Sequence, residues 1–395
     1  LRIGSDGVTV YTDTPSTYVE FHCPVVMTAA QTWRNAKLRI MDVSGTVTLT
    51  NVLSSASGVS TPITFDGFNR ADPSLKTMAT SARPTFAFKN NNTYSGSTTI
   101  QGSGVLYLQF STAFSGSKVD PASAVILKGG GLALTGGTTT APAIAYTQTV
   151  ASVVIKAGEN FIGGKNANIR LDCGDIVREG IGGTISFPVS WSAGTTCYTT
   201  STNDSNGIVG GWAIQNDLAS GSGFAKIDTS TGAVNSESGT ARANTDAWRA
   251  NDHVRITGGG ARTAGDVSVR TIRYGVVATN DLMTSVVTIL SGGVANAYTG
   301  CKLANGKLRS GFSTGELFVF TAGPFEISSR IEDNGATPLT LVKAQSGTLT
   351  LSGELAYTGD TYLNGGTLSL VGDGAEISAE IHQAGGTTLQ LASGA

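Results

Sequence analysis

The chain has 395 residues, only 14% of them charged, a formal net charge of −2 and no run of lysine or arginine. That balance excludes the basic footprint of a nucleic-acid or anionic-membrane binder and the highly charged character of a disordered chain. Glycine is abundant at 52 residues and proline scarce at 10, so neither collagen nor a proline-rich linker fits. No apolar stretch approaches the ~20 residues of a membrane-spanning helix. The sequence opens on Leu1 without an initiator methionine, signal peptide or tag, as expected of a processed chain or a piece of a longer one.

Taken in chain order, residues 8–11, 38–41, 46–49, 85–88, 124–127, 150–155 and 286–290 are short runs rich in β-branched side chains. Most are bounded by Gly, Ser, Asn or Asp, and they read as strands. Thr and Ser often alternate with Val, Ile and Leu, which suits one face inward and one wet. Helical periodicity is weak throughout. Residues 240–252, with Trp248, are the best helix candidate and have too few apolar partners for a core helix.

Two stretches read almost alike. Tyr94-Ser95-Gly96-Ser97-Thr98 leads into a strand at 105–108, and Tyr357-Thr358-Gly359-Asp360-Thr361 leads into one at 367–370. One such unit cannot bury its own apolar face and must stack on its neighbours, so the expected fold is an all-β solenoid. Rungs of ~20–25 residues would make ~16–19 coils. Leu349, Leu351, Leu368, Leu370, Leu389 and Leu391 alternate with polar residues at rung intervals and should point inward as a column. Tyr94 and Tyr357 are expected as stacked aromatics at equivalent corners, with carbohydrate contact as the alternative.

The expected organisation is N-terminal rungs over 1–171, an irregular loop-rich region over 172–253, and C-terminal rungs over 254–395. The middle holds Trp191, Trp212 and Trp248. They form a candidate contact surface for a neighbouring subunit or a glycan, or else they plug the core where rungs are irregular. Cys173 and Cys197 stand about one turn apart, which would place them side by side for a disulfide; otherwise each is a small buried hydrophobe. No CxxC spacing points to zinc or thioredoxin chemistry.

Catalysis finds little to stand on. A lyase-like carboxylate cluster would have to come from Asp172-Cys173-Gly174-Asp175 with Arg170, Arg178 and Glu179, whose loose spacing reads as a solvated turn with surface ion pairs. His22, His253 and His382 lie far apart without metal-ligand spacing. There is no nucleophile elbow, and Gly258-Gly259-Gly260 lacks the Gly-Lys-Ser/Thr ending of a phosphate loop. No catalytic residue, cofactor site or metal site is assigned.

One resemblance is specific. Asp333-Asn334-Gly335 with Leu341-Val342-Lys343, then Ser346-Gly347-Thr348-Leu349-Thr350-Leu351-Ser352-Gly353, Tyr357-Thr358-Gly359 and Asn364-Gly365-Gly366-Thr367-Leu368 resemble the autotransporter-associated β-strand repeat, also called the passenger-associated transport repeat. Asp360 and Tyr362 replace the Gly and Thr common there. A more degenerate copy runs over 88–137, and weaker similarity covers 28–49 and 208–225. The resemblance implies a right-handed parallel β-helix in a large exported bacterial protein, and no catalytic residues. The expected setting is extracellular or at the bacterial surface. The leading expectation is a structural subunit of a filament or layer, a homopolymer adding head to tail through open strand edges at Leu1 and Ile3 and at Leu389 and Leu391. The alternatives are an adhesin passenger binding glycans or surfaces and, third, a polysaccharide-active enzyme.

Overall fold

The computed structural model describes residues 1–12, 18–37, 46–67, 84–136, 146–165, 169–187, 196–215, 218, 222–372 and 374–392. It is an all-β parallel solenoid with no α-helix among the described residues. The predicted strand at 38–41 and Trp191 lie outside the described residues. Two compact units divide the chain: Leu1–Ser201 with Ile227–Val234, and Thr202–Lys226 with Asn235–Ala395. The division falls inside the stretch expected to be irregular.

In the first unit the chain visits three faces in rotation. One face is a ladder from Val8–Thr12 through Gln31–Lys37, Ile63–Asp66, Thr98–Gln101, Ala124–Lys128 and Ser152–Ile155 to Asp175–Arg178. The next runs from Tyr18–Phe21 to Gly183–Phe187, and the third is carried by two three-stranded sheets, Arg2–Ile3 with Val25–Met27 and Leu53–Ser55, and Tyr146–Thr149 with Ile169–Asp172 and Thr196–Tyr198. These ladder pairings are parallel and join one turn to the next, so backbone donors and acceptors are satisfied between turns. The strands Ile169–Asp172, Asp175–Arg178, Gly183–Phe187 and Thr196–Tyr198 continue these ladders. The described residues make about 14 turns, fewer than the rung estimate, because loops lengthen several of them. Ile63 pairs onward with Thr98, a step well beyond one expected rung.

The second unit is built alike. One ladder runs from Thr240–Arg242 to Ile381–Gln383, another from Gly260–Ala261 to Thr388–Leu391, and Lys307–Ser310, Arg330–Glu332 and Leu355–Ala356 supply a third face. Its core is the stacked column foreseen from the alternating leucines. Phe325, Leu349, Leu368 and Leu389 are successive register partners, as are Ile327, Leu351, Leu370 and Leu391. Leu349, Leu351, Leu368 and Leu370 are buried, Leu389 is half-buried, and Leu391 is exposed. The outermost pair lacks a covering turn among the described residues.

The weak helix candidate resolves into a strand, Thr240–Arg242, and one 3-10 turn, Thr245–Ala247, capped by the Asn244 side chain, which accepts from the Ala247 N–H at 2.9 Å. Trp248 then turns into the core of the second unit.

Candidate functional site

The two repeat copies form the same corner, one in each unit. Tyr94 Oη hydrogen-bonds Thr98 Oγ1, and Tyr357 Oη hydrogen-bonds Thr361 Oγ1 at 2.7 Å. Both tyrosines are only 3% exposed. Burial raises both phenols, that of Tyr357 to about 12, against the opposing pull of the threonine hydroxyl. These rings are interior side chains, so the carbohydrate-contact alternative does not hold for them. Each corner is clasped by an aspartate. Asp120 accepts from the Gly96 N–H at 2.9 Å, and Asp333 from the Thr358 N–H at 3.0 Å and the Thr358 hydroxyl at 2.8 Å. Burial works against ionising these carboxyls, and the donated hydrogen bonds outweigh it, so both sit below their ordinary value.

Each unit also buries a lysine completely. Lys343 Nζ donates to the carbonyls of Gly347 at 2.7 Å and Gly365 at 2.8 Å, and to those of Ala344 and Gln345. Lys118 Nζ donates to Asn91 Oδ1 and the Phe114 carbonyl, both at 2.8 Å, and lies 5.0 Å from the centre of the Phe110 ring. Burial pushes the Lys118 amine down to about 8.

The loosely spaced acidic turn is dispersed, as a turn with surface ion pairs should be. Arg170 pairs with Asp172 and lies over Tyr198 at 3.8 Å, Asp175 accepts from Thr200, Glu179 pairs with Lys156, and Arg178 donates to the Gly183 carbonyl. No shared cation position results among these residues. Cys173 and Cys197 are both buried and are free thiols in this structure. The register sets Cys197 against Leu171, so Cys173 lies diagonally across rather than directly opposite, yet the two side chains interact. Burial, with the Cys197 side chain next, raises the Cys173 thiol.

Trp212, at 7% exposure, and Trp248, at 1%, are core residues of the second unit. Buried in this way, Trp212 and Trp248 do not present the exposed contact surface expected of them. Exposed apolar surface appears instead at a corner of the second unit. Val277 is 60% exposed, and its chain neighbour Val276 and, on the following turn, Tyr298 are exposed as well. The Cys301 thiol approaches the Val276 carbonyl at 3.6 Å, while buried Asn296 fixes the Tyr298 backbone by donating to its carbonyl at 2.7 Å and accepting from its N–H at 3.0 Å.

Of the histidines, His22 pairs with Glu20, and His253 is held between Thr271 Oγ1 and the Asn206 carbonyl, its pKa lowered by burial. His382 behaves differently. Its Nε2 lies 3.2 Å from Asp360 Oδ2 and 4.0 Å from Glu380 Oε2, and its ring stacks on Tyr362 at 4.4 Å. Asp360, Glu380 and His382 each offer one ligand atom, all within 4.8 Å of one another, and among the described residues they form the group that could hold a metal ion. Counting histidines in sequence missed them. The available signal was Asp360-Thr361-Tyr362 and Glu380-Ile381-His382 standing one rung apart.

Comparison with known proteins agrees with this architecture. The family model described as passenger-associated-transport-repeat matches residues 85–108 and 341–370, the two copies containing the Tyr94 and Tyr357 regions. The adhesin BmaC autotransporter of Brucella suis biovar 1 (strain 1330) is 31% identical over 299 residues, which is 70% of this chain and 8% of that protein. The chain thus spans a small part of its relative's length. No solved structure matches it significantly. The parallel solenoid thus carries two passenger-associated transport repeats and is distantly homologous to an autotransporter adhesin.

Proposed function

We propose that the chain is a segment of a secreted, surface-displayed bacterial passenger that contributes to adhesion without catalysis. The similarity to an adhesin across 70% of the chain carries this reading. The geometry suits it: a stack of parallel turns offers flanks on which loops and corners can present contacts, while the interior is taken up by packing. The contact surface we assign is the corner bearing Val276, Val277 and Tyr298. A phenol ring beside exposed aliphatic side chains suits stacking on a sugar face or an apolar protein patch. Beads coated with the purified protein should adhere to epithelial cells or to a glycan array above albumin-coated controls. Tyr298→Ala should lower adhesion while leaving thermal stability within about 0.5 kcal/mol. Adhesion equal to the albumin control would defeat the reading.

The self-assembling filament gains nothing from the comparisons. Leu1 and Leu391 are exposed, and Ile3 and Leu389 half-buried, but these positions carry no further sign of head-to-tail addition. Export to an oxidising compartment would allow the neighbouring Cys173 and Cys197 thiols to join. Mass spectrometry of the secreted protein before and after reduction reads this directly.

A further inference from the structure

We propose that Asp360, Glu380 and His382 form a binding site for a borderline divalent cation of the zinc type, shared between two successive turns of the second unit. The placement follows from register. Asp360 stands immediately before the strand Thr361–Leu363, and Glu380 immediately before Ile381–Gln383. Thr361 pairs with Ile381 and Tyr362 with His382, and the Thr361 N–H donates to the Glu380 carbonyl at 2.8 Å. The two carboxylates thus occupy equivalent stations one turn apart, and His382 rises beside them on the later turn.

The donor set is more than acidic surface. The imidazole Nε2 is directed at both carboxylates, at 3.2 and 4.0 Å. Donors about 2.0–2.2 Å from a tetrahedral zinc stand roughly 3.3–3.6 Å apart, so closure asks only for small side-chain rotations. Exposed Glu380 has the freedom to make them. Tyr362 fixes the imidazole plane, with its ring stacked at an interplanar angle of 21°. An aligned nitrogen ligand is what distinguishes a metal site from a chance cluster of carboxylates.

Other carboxylates of the unit have fixed partners: Glu326 has Lys302, Asp252 has Arg242, Glu332 has Lys307, Arg309 and Arg330, and Asp246 and Asp333 accept from backbone N–H groups and threonine hydroxyls. Asp360 and Glu380 have no lysine or arginine partner among the described residues; their partner is an imidazole, a ligand rather than a fixed cation. Two like charges held together on adjacent turns are stabilised by a cation between them. One nitrogen and two carboxylate oxygens favour zinc and its neighbours over magnesium or calcium, which take all-oxygen shells. The ion would staple the turn carrying Ile381–Gln383, which is more exposed than those before it, to the turn beneath.

Calorimetric titration of the untagged protein, with exposed Cys23 replaced by serine, tests this. Zinc chloride should bind at one equivalent and raise the melting temperature, while magnesium chloride should give no comparable heat. His382→Gln and Asp360→Asn, each checked for an unchanged circular dichroism spectrum, should weaken zinc binding about tenfold or more. Absence of zinc binding would overturn the proposal. So would unchanged affinity in both variants, which would place the ion elsewhere, or equal binding of magnesium, which would reduce the site to an unspecific acidic patch.

Discussion

The two repeat copies solve the same local problem and differ in how they are anchored. In both, a buried tyrosine reaches four residues ahead to a threonine hydroxyl, Tyr94 to Thr98 and Tyr357 to Thr361. The clasping aspartate comes from opposite directions. Asp120 precedes the strand of the following turn and reaches back to Gly96, whereas Asp333 follows the strand of the preceding turn and reaches forward to Thr358. The buried lysines differ as well: Lys343 is enclosed by carbonyls, and Lys118 by one amide, one carbonyl and aromatic faces. The hydroxyl pair is set within five consecutive positions of the repeat and recurs. The clasping aspartates, Asp120 and Asp333, lie outside the matched repeat residues and differ between the copies.

The column beneath the second corner gives the largest expected effect. Leu351→Asp places an unpaired carboxylate between Ile327 and Leu370 and should cost about 3–5 kcal/mol in urea denaturation. Near wild-type stability would mean that Leu351 does not face the core. The corner pair comes next. Tyr94→Phe and Tyr357→Phe each leave a threonine hydroxyl without its buried partner and should each cost about 1–2 kcal/mol. If only one of the two is costly, the equivalence of the corners is lost. A double-mutant cycle of Tyr357→Phe with Thr361→Val should show coupling, since removing both partners is cheaper than orphaning one.

Alkaline titration should show a smaller effect. The folded Tyr357 phenol holds its proton to about 12, above the ordinary 10.0, so the stability tied to it is complete below pH 10 and drains as pH rises from 10 toward 12. Lys118 has the opposite sign. Its folded amine is pushed down to about 8 from 10.5, the unfolded chain binds more protons between those values, and the first unit should gain stability as pH rises through that window. Lys118→Met should reduce the gain and Tyr357→Phe the later loss, to which the buried Tyr94 and Tyr274 phenols also contribute, both read from urea midpoints measured at intervals from pH 7 to 12.

Much of the fold was legible because its signals are local. Alternation over 348–351 and 367–370 fixes which leucines face inward, and the Tyr-x-Gly corners announce the repeat. What escaped depends on the length of a turn. The meeting of Asp360 with His382 requires knowing that Tyr362 and His382 share a register position, which two unlike tripeptides do not disclose. Whether Trp212 and Trp248 face outward or plug the core was left open by composition, and only the packed structure shows both buried. Val276, Val277 and Tyr298 went unnoticed because they are unremarkable in sequence and their exposure depends on where the turns place them.

That stacking in a defined parallel register is the claim on which the repeat corners, the leucine column and the candidate sites all rest. Oxidative cross-linking of paired cysteines tests it most directly, in a background with the native cysteines replaced. Thr350 and Ser369 are register partners on adjacent strands, about 4.8 Å apart at Cα and within disulfide reach. Thr350→Cys/Ser369→Cys should therefore cross-link readily, and Thr350→Cys/Leu370→Cys, whose side chains point to opposite faces, should not. The reverse outcome would mean a one-residue slip that turns the column outward, and it would contradict the account.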